Sequence, residues 1–161
     1  MSRDFVRVLK VLSEHRVRFV LIGGMAAVAQ GSPVVTYDVD ICYDLRRDNL
    51  EQLAGALQQL HARLRGVPEG LPFILDAETL GNGDFFTFDT DAGAVDILGT
   101  PSGAKGYDDL RSRAVTIELG TFQVPAAAIG DLIAMKQASA RDKDGIHLLH
   151  LEALRDELER P

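Results

Sequence analysis

The sequence predicts an α/β protein (α+β in stricter usage), a small mixed sheet flanked by helices and ending in a C-terminal helical pair. Three observations carry that expectation. The apolar run Phe19-Val20-Leu21-Ile22 stops abruptly at Gly23-Gly24, as a buried strand does where it turns into a helix. The stretch from Val34 to Tyr43 is β-branched and alternating. Two later pairs of runs, 85–90 with 94–98 and 115–119 with 122–124, are each split by a turn signal and read as hairpins. Leu50, Leu53, Leu57, Leu60 and Leu64, and later Leu148, Leu151, Leu154 and Leu158, recur at the spacing of amphipathic helices. The length suits a single compact domain, with a core over 1–124 and a helical segment over 125–161 packed on it.

Bulk properties narrow the function classes. Charged residues make up 25% of the chain and apolar residues 46%, ordinary shares that argue against disorder and against a membrane partner. No apolar run approaches the roughly 20 residues of a membrane span. Residues 1–15 are too charged for a signal peptide, so a cytoplasmic protein is expected. The single cysteine, Cys42, cannot form an internal disulfide, in keeping with a reducing compartment. A net charge of −7 disfavours a broad nucleic-acid footprint, although a local basic patch could still grip RNA.

In chain order, Ser2 is the expected N-cap of a helix carrying Phe5, Val8, Leu9 and Leu12 to about Ser13, with Arg3, Arg7 and Lys10 as its solvated face. Strand 19–22 and the Gly-Gly turn lead to a small-residue helix from Met25 to Gln30, then a turn at Gly31-Ser32-Pro33. Side-chain parity sorts the next strand. Thr36, Asp38, Asp40, Cys42 and Asp44 share one face, and Val35, Tyr37, Val39, Ile41 and Tyr43 share the face expected to enter the core. Cys42 has no base beside it and reads as small buried filler.

Asp48 with Glu51 forms a capping box for a helix expected to reach about Arg65, with His61 near its end. Residues 73–76 suggest a short strand, and Gly81-Asn82-Gly83 a turn. The run G-T-P-S-G-A-K-G (99–106) lacks phosphate-loop spacing and reads as a connection. From Pro125 the pattern turns helical through Ile129, Leu132, Ile133 and Met135-Lys136, reaches the charged R-D-K-D of 141–144 and ends in the last helix. His147 and His150 lie three apart on that helix without a third ligand at usable spacing, a weak metal signal.

The chemistry concentrates on Asp38 and Asp40. On a strand, residues i and i+2 lie roughly 7 Å apart on one face. Carboxylates held so, with nothing basic between them, repel each other unless a cation intervenes, and hard oxygen ligands suit Mg²⁺. Asp is depleted in strands, so two in a β-branched run need a reason; the bland alternative is a solvated surface strand. A Gly-Gly pair closing a strand lets phosphate approach the free N–H groups of a helix start. Asp96 stands inside the second strand of the first hairpin, where a lone Asp is costly unless paired, coordinated or at a solvent-facing edge.

This arrangement, G-G followed by T-Y-D-V-D-I (23–24 and 36–41), resembles the nucleotidyltransferases of the polymerase-β superfamily. The segment D-L-I-A-M-K…R-D-K-D (131–144) resembles those of the AbiE toxin type (AbiEii-like), which carry an apolar helix ending in Lys followed by an essential Asp. The resemblance implies the nucleotidyltransferase fold and a metal-dependent enzyme moving a nucleoside monophosphate from an NTP (ATP or GTP) to an acceptor hydroxyl. It implies Asp38, Asp40 and Asp96 as ligands of two Mg²⁺ ions, with Mn²⁺ as an alternative. One ion would activate the attacking hydroxyl and the other would bind the triphosphate. Gly23, Gly24, Ser32, Thr36, Lys136 and Lys143 would contact nucleotide, and Lys136 and Asp144 would complete the catalytic set. From the residues alone, Lys136 could equally be a surface lysine, and Asp142 or Asp144 the N-cap of the last helix. The acceptor could be tRNA or another RNA, a protein, or a small molecule such as an antibiotic, and a cognate antitoxin or partner subunit is a further implication. One departure stands out. Many relatives carry Arg two residues before the Thr, as in R-x-T-x-D-x-D, where this chain has Val34 and Val35. A regulatory module that keeps the fold without turnover is the alternative this departure suggests.

Overall fold

The computed structural model describes residues 4–68, 70–139 and 144–160, with 144–147 through their backbone only. The elements are α1 (Phe5–Glu14), β1 (Phe19–Ile22), α2 (Gly23–Ala29), β2 (Asp38–Tyr43), α3 (Arg47–Gln59), β3 (Arg63–Leu64), α4 (Ala77–Gly81), β4 (Phe85–Thr90), β5 (Gly93–Leu98), α5 (Tyr107–Arg113), β6 (Val115–Glu118), β7 (Gln123–Ala126), α6 (Ile129–Ser139) and α7 (Asp144–Leu158). All the strands join one mixed sheet in the order β3-β4-β5-β2-β1-β7-β6. Central β2 runs antiparallel to β1 and parallel to β5. The expected hairpins are β4–β5 and β6–β7, and α6 and α7 pack together as the C-terminal helical pair. Among the described residues, no helix is long and apolar enough to cross a membrane.

The core forms as parity demands along β2 itself. Val39, Ile41 and Tyr43 are wholly buried, with Ile97 and Phe88 of the neighbouring strands and Leu53 and Leu57 of α3. Removing side chains of this size from water stabilises the fold by about 2 kcal/mol each, an upper estimate given residual burial in the unfolded chain. The strand begins later than expected, at Asp38. Chain before Asp38 has no strand beside it, since β1 pairs only back to Asp40 and β5 only back to Asp38. Val35 and Tyr37, expected inside, are therefore 71% and 57% exposed.

Several other boundaries move for identifiable reasons. Ser2 lies outside the described residues, and the N-cap of α1 is Asp4, whose Oδ1 accepts from Arg7 N at 3.0 Å. Helix α2 opens at Gly23, two residues before Met25. Helix α3 starts at Arg47 and makes no side-chain cap bond, because its N-cap is Arg46, whose side chain has no acceptor. The expected cap Asp48 lies inside the first turn, where the Arg18 guanidinium engages it at 2.9 and 3.1 Å. It stops at Gln59, and His61 has left the helix with a φ of +53°. Leu64 then pairs with Phe88 at the sheet edge instead of extending the helical stripe. Residues 73–76 are not a strand; Asp76 caps α4 by accepting from Thr79 N at 2.8 Å. Pro125 lies inside β7, opposite Thr116, and the helix starts four residues later. Helix α5 has one buried apolar residue, Leu110, too little to show as periodicity.

Candidate active site

The register of β2 against β5 places Asp38 beside Ala94 and Asp40 beside Asp96. Each of Asp38, Asp40 and Asp96 offers a carboxylate oxygen, and the three oxygens lie within 4.8 Å of one another. Among the described residues it is the one group of three or more His, Cys, Asp and Glu side chains close enough to share an ion. Asp40 Oδ1 and Asp96 Oδ1 are buried without a hydrogen-bond partner. Buried polar atoms are normally satisfied, so two orphans in one cluster mark a place built for something else. Burial is the main reason Asp40 holds its proton well above the usual carboxylate range; the charges of Asp96 and Asp38 add to the effect and Lys136 opposes it. Burial pushes Asp96 upward as well, against the Arg65 charge. An all-oxygen donor set with orphaned lone pairs and mutual repulsion fits a hard divalent cation.

The glycine pair lies directly against these acids. A Cβ on Gly23 would stand 2.3 Å from Asp40 Oδ2, and the residue adopts a φ of +68°, so close approach and backbone conformation both require glycine. A Cβ on Gly24 would meet Thr36 Oγ1 at 2.8 Å. The start of α2 has no side-chain cap bond. Thr36 Oγ1 donates to Asp38 O at 3.4 Å, and buried Ser32 accepts from Val34 N at 3.3 Å.

These residues border an open cleft of about 710 Å³. Val34, Val35 and Tyr37 form one wall, Phe85 and Leu98 another, and Leu132, Met135, Lys136 and Leu151 bring in α6 and α7. The 99–106 segment is more than a connection, since Thr100, Pro101 and Ser102 line the cleft. It docks on α6 at Gly103, whose φ is +84° and where a Cβ would stand 2.5 Å from the Ala134 carbonyl oxygen. Lys136 is half-buried in the cleft wall. Asp144 is the first residue of α7, with its side chain outside the described residues, as is the His147 side chain; Lys143 lies wholly outside them. Cys42 shares the acid face but is buried, its Sγ 3.7 Å from Gly99 O and its thiol pushed up to about 12 by burial.

Sequence reasoning missed Arg65. Its Nη2 lies 2.9 Å from Asp96 Oδ1 and its Nε 3.2 Å from Asp89 Oδ1. Nη2 also donates to Phe88 O at 2.8 Å. The contact with Asp96 is not aligned as a hydrogen bond, so that oxygen stays unsatisfied. No motif marked Arg65, because it sits where the helical leucine stripe was expected to continue.

No known family model matches the chain, and no curated protein does. Solved structures do. The lincosamide antibiotic adenylyltransferase LnuA, with lincomycin bound, superposes with a TM-score of 0.63 at 12% identity, over 96% of this chain and 99% of that one. The sheet is the nucleotidyltransferase fold. A Thermotoga maritima protein assigned as a nucleotidyltransferase shares the fold with a TM-score of 0.55 at 20% identity, over 99% of this chain and 97% of its own. The antibiotic-resistance factor ANT(2'')-Ia shares it with a TM-score of 0.50 at 13% identity, over 95% and 91%. At such identities the nucleotidyltransferase fold is what is common, and the activity has to be argued from the site.

Proposed function

We propose that the chain is a metal-dependent nucleotidyltransferase, which moves a nucleoside monophosphate from an NTP to an acceptor hydroxyl. The observation that carries this reading is the convergence of Asp38, Asp40 and Asp96, with two orphaned oxygens, against a glycine turn in the cleft. Asp38, Asp40 and Asp96 would hold two Mg²⁺ ions, or Mn²⁺, which supply charge neutralisation of the triphosphate and a more acidic acceptor hydroxyl. Gly23 and Gly24 would offer backbone N–H groups to phosphate, with Ser32 and Thr36 beside them. Lys136, and Lys143 beyond α6, would neutralise phosphate charge as compact cations. Asp144 would orient Lys136 or the acceptor. The new bond joins the acceptor oxygen to the α-phosphorus, and the bond broken there releases pyrophosphate.

The acceptor we favour is a small molecule. LnuA binds lincomycin across a chain of nearly the same extent. The cleft mouth here presents Val35, Tyr37 and Phe85, which is 58% exposed, and a net charge of −7 works against a polyanion. A second reading, an AbiE-type enzyme acting on tRNA and restrained by a cognate antitoxin, draws on Lys136 at the cleft wall. The test is transfer of label from each α-³²P NTP with Mg²⁺ into cell extract separated into RNA, protein and small molecules. Label among small molecules with wild type, absent with Asp38→Ala, is the expected result; label in RNA favours the second reading. NTP binding without label would mean a regulatory module.

A further inference from the structure

One cation faces the acid cluster from the side opposite the glycine turn. Asp40, Asp96 and Thr87 form a row across β2, β5 and β4, and Arg65, the residue after β3, continues it. Asp40 stands beside Asp96 and Asp96 beside Thr87, and Arg65 N donates to Thr87 O at 2.9 Å. The guanidinium is also held by Asp89 Oδ1 at 3.2 Å and Phe88 O at 2.8 Å, and the side chain is 32% exposed. It therefore presents its charge 2.9 Å from Asp96 Oδ1 while leaving that oxygen without a hydrogen bond. Arg65 thus holds the Asp96 carboxylate as a fixed charge, its own position set by Asp89 and the Phe88 carbonyl.

We propose that Arg65 is the internal counter-cation of the acid cluster, a positioning residue that steadies Asp96 and weakens the cluster's hold on divalent cations. The inference rests on the metal-binding reading above. Its physical basis is simple. Without a bound ion, three carboxylates crowd together and Arg65 offsets part of their repulsion. With an ion present, the fixed positive charge a few ångströms away repels it, so binding is weaker than three carboxylates alone would give. Lys136 also bears on Asp40, but from the α6 wall of the cleft. Readily exchanged ions would follow.

The experiment is calorimetric titration of Mn²⁺ and Mg²⁺ into the cation-free full chain, for wild type, Arg65→Gln, Arg65→Met and Arg65→Lys. Neutral variants should bind Mn²⁺ at least about tenfold more tightly, while Arg65→Lys, which keeps the charge, should stay within about threefold of wild type. A purely structural arginine would give unchanged or weaker binding in the neutral variants, and that result overturns the proposal. If both neutral variants unfold in chelator, adding Mn²⁺ back is the readout: refolding supports the proposal and persistent unfolding overturns it. Wild type that takes up no divalent cation would instead overturn the metal-binding reading itself.

Discussion

The two ends of β2 treat the same side chain in opposite ways. Just past the far end, Asp44 is 3% exposed and fully engaged. Arg18 Nε donates to it at 2.7 Å, Arg46 Nη1 at 2.9 Å and Arg46 N at 3.0 Å. Each arginine reaches on to a second carboxylate, Asp48 or Asp108. Asn49, wholly buried, completes the set by donating to the Asp44 and Arg18 carbonyls and accepting from Arg18 N at 2.6 Å. At the cleft end, Asp40 has a buried oxygen with no partner and two acidic neighbours. One end spends its carboxylate on stability. The other withholds satisfaction, which costs stability and leaves lone pairs for a ligand.

The comparison is tested most strongly by Asp40→Asn. It should lower label transfer by about a thousandfold, the several kcal/mol expected of a metal ligand, while the melting temperature stays level or rises as a buried charge disappears. A fall in melting temperature would mean that Asp40 is structural. Gly23→Ala comes next. Left-handed backbone costs a Cβ-bearing residue about 1–2 kcal/mol, and the added methyl would displace Asp40 as well, so urea unfolding and transfer should both suffer. Asp44→Ala should cost about 2 kcal/mol in urea unfolding, below the figure for a fully buried pair because its arginine partners are partly exposed. Transfer per folded molecule should be unchanged.

A smaller effect separates the ends by pH. Burial alone would raise Asp44, but the bonds from Arg18 and Arg46 outweigh it and hold the carboxyl below its usual range. Its contribution to stability is present above the unfolded value, about 3.9, and is lost as pH falls through the lower folded value. Asp40 is raised by burial and by Asp96 and Asp38, so its sign is opposite. Without divalent cations, stability declines as pH rises above about 4. Urea midpoints measured across pH should show a smaller acid-side fall in Asp44→Asn and a smaller neutral-side fall in Asp40→Asn, with Asp48, Asp76, Asp91 and Asp109 supplying the rest of the former and Asp96 of the latter. The smallest expected effect lies between the ends. Cys42, buried with its thiol pushed up to about 12, should resist a thiol reagent at pH 8 until urea unfolds the chain. Rapid native labelling would mean that the cleft opens to that depth.

Much of the acid cluster was legible because it depends on local rules. The i, i+2 parity of a strand puts Asp38 and Asp40 on one face, and the hairpin pattern places Asp96 on a strand. The glycine turn is legible for the same reason, since Gly-Gly after an apolar run admits few backbone paths. Arg65 was hidden because its partners Asp89 and Asp96 are 24 and 31 positions away, and a leucine stripe covered the end of α3. Thr100–Ser102 became a cleft wall only by the docking of Gly103 on α6. The exposed Val35 and Tyr37 show the limit of parity: alternation was present, but no neighbouring strand was.

Although β3, α4 and α5 escaped it, the sequence by itself determined most of the longer helices and strands, the apolar face of β2, the i, i+2 pair Asp38 and Asp40, and the glycine turn after β1. These follow from period, sterics and short chain distances. Tertiary structure alone decided that Asp40 faces Asp96 across a parallel register, that their oxygens stay unsatisfied while Asp44 is saturated, and that an arginine from the sheet edge stands behind them. Those outcomes depend on which distant strands become neighbours. Strand register is a cooperative choice of the whole core, and no window along the chain contains it.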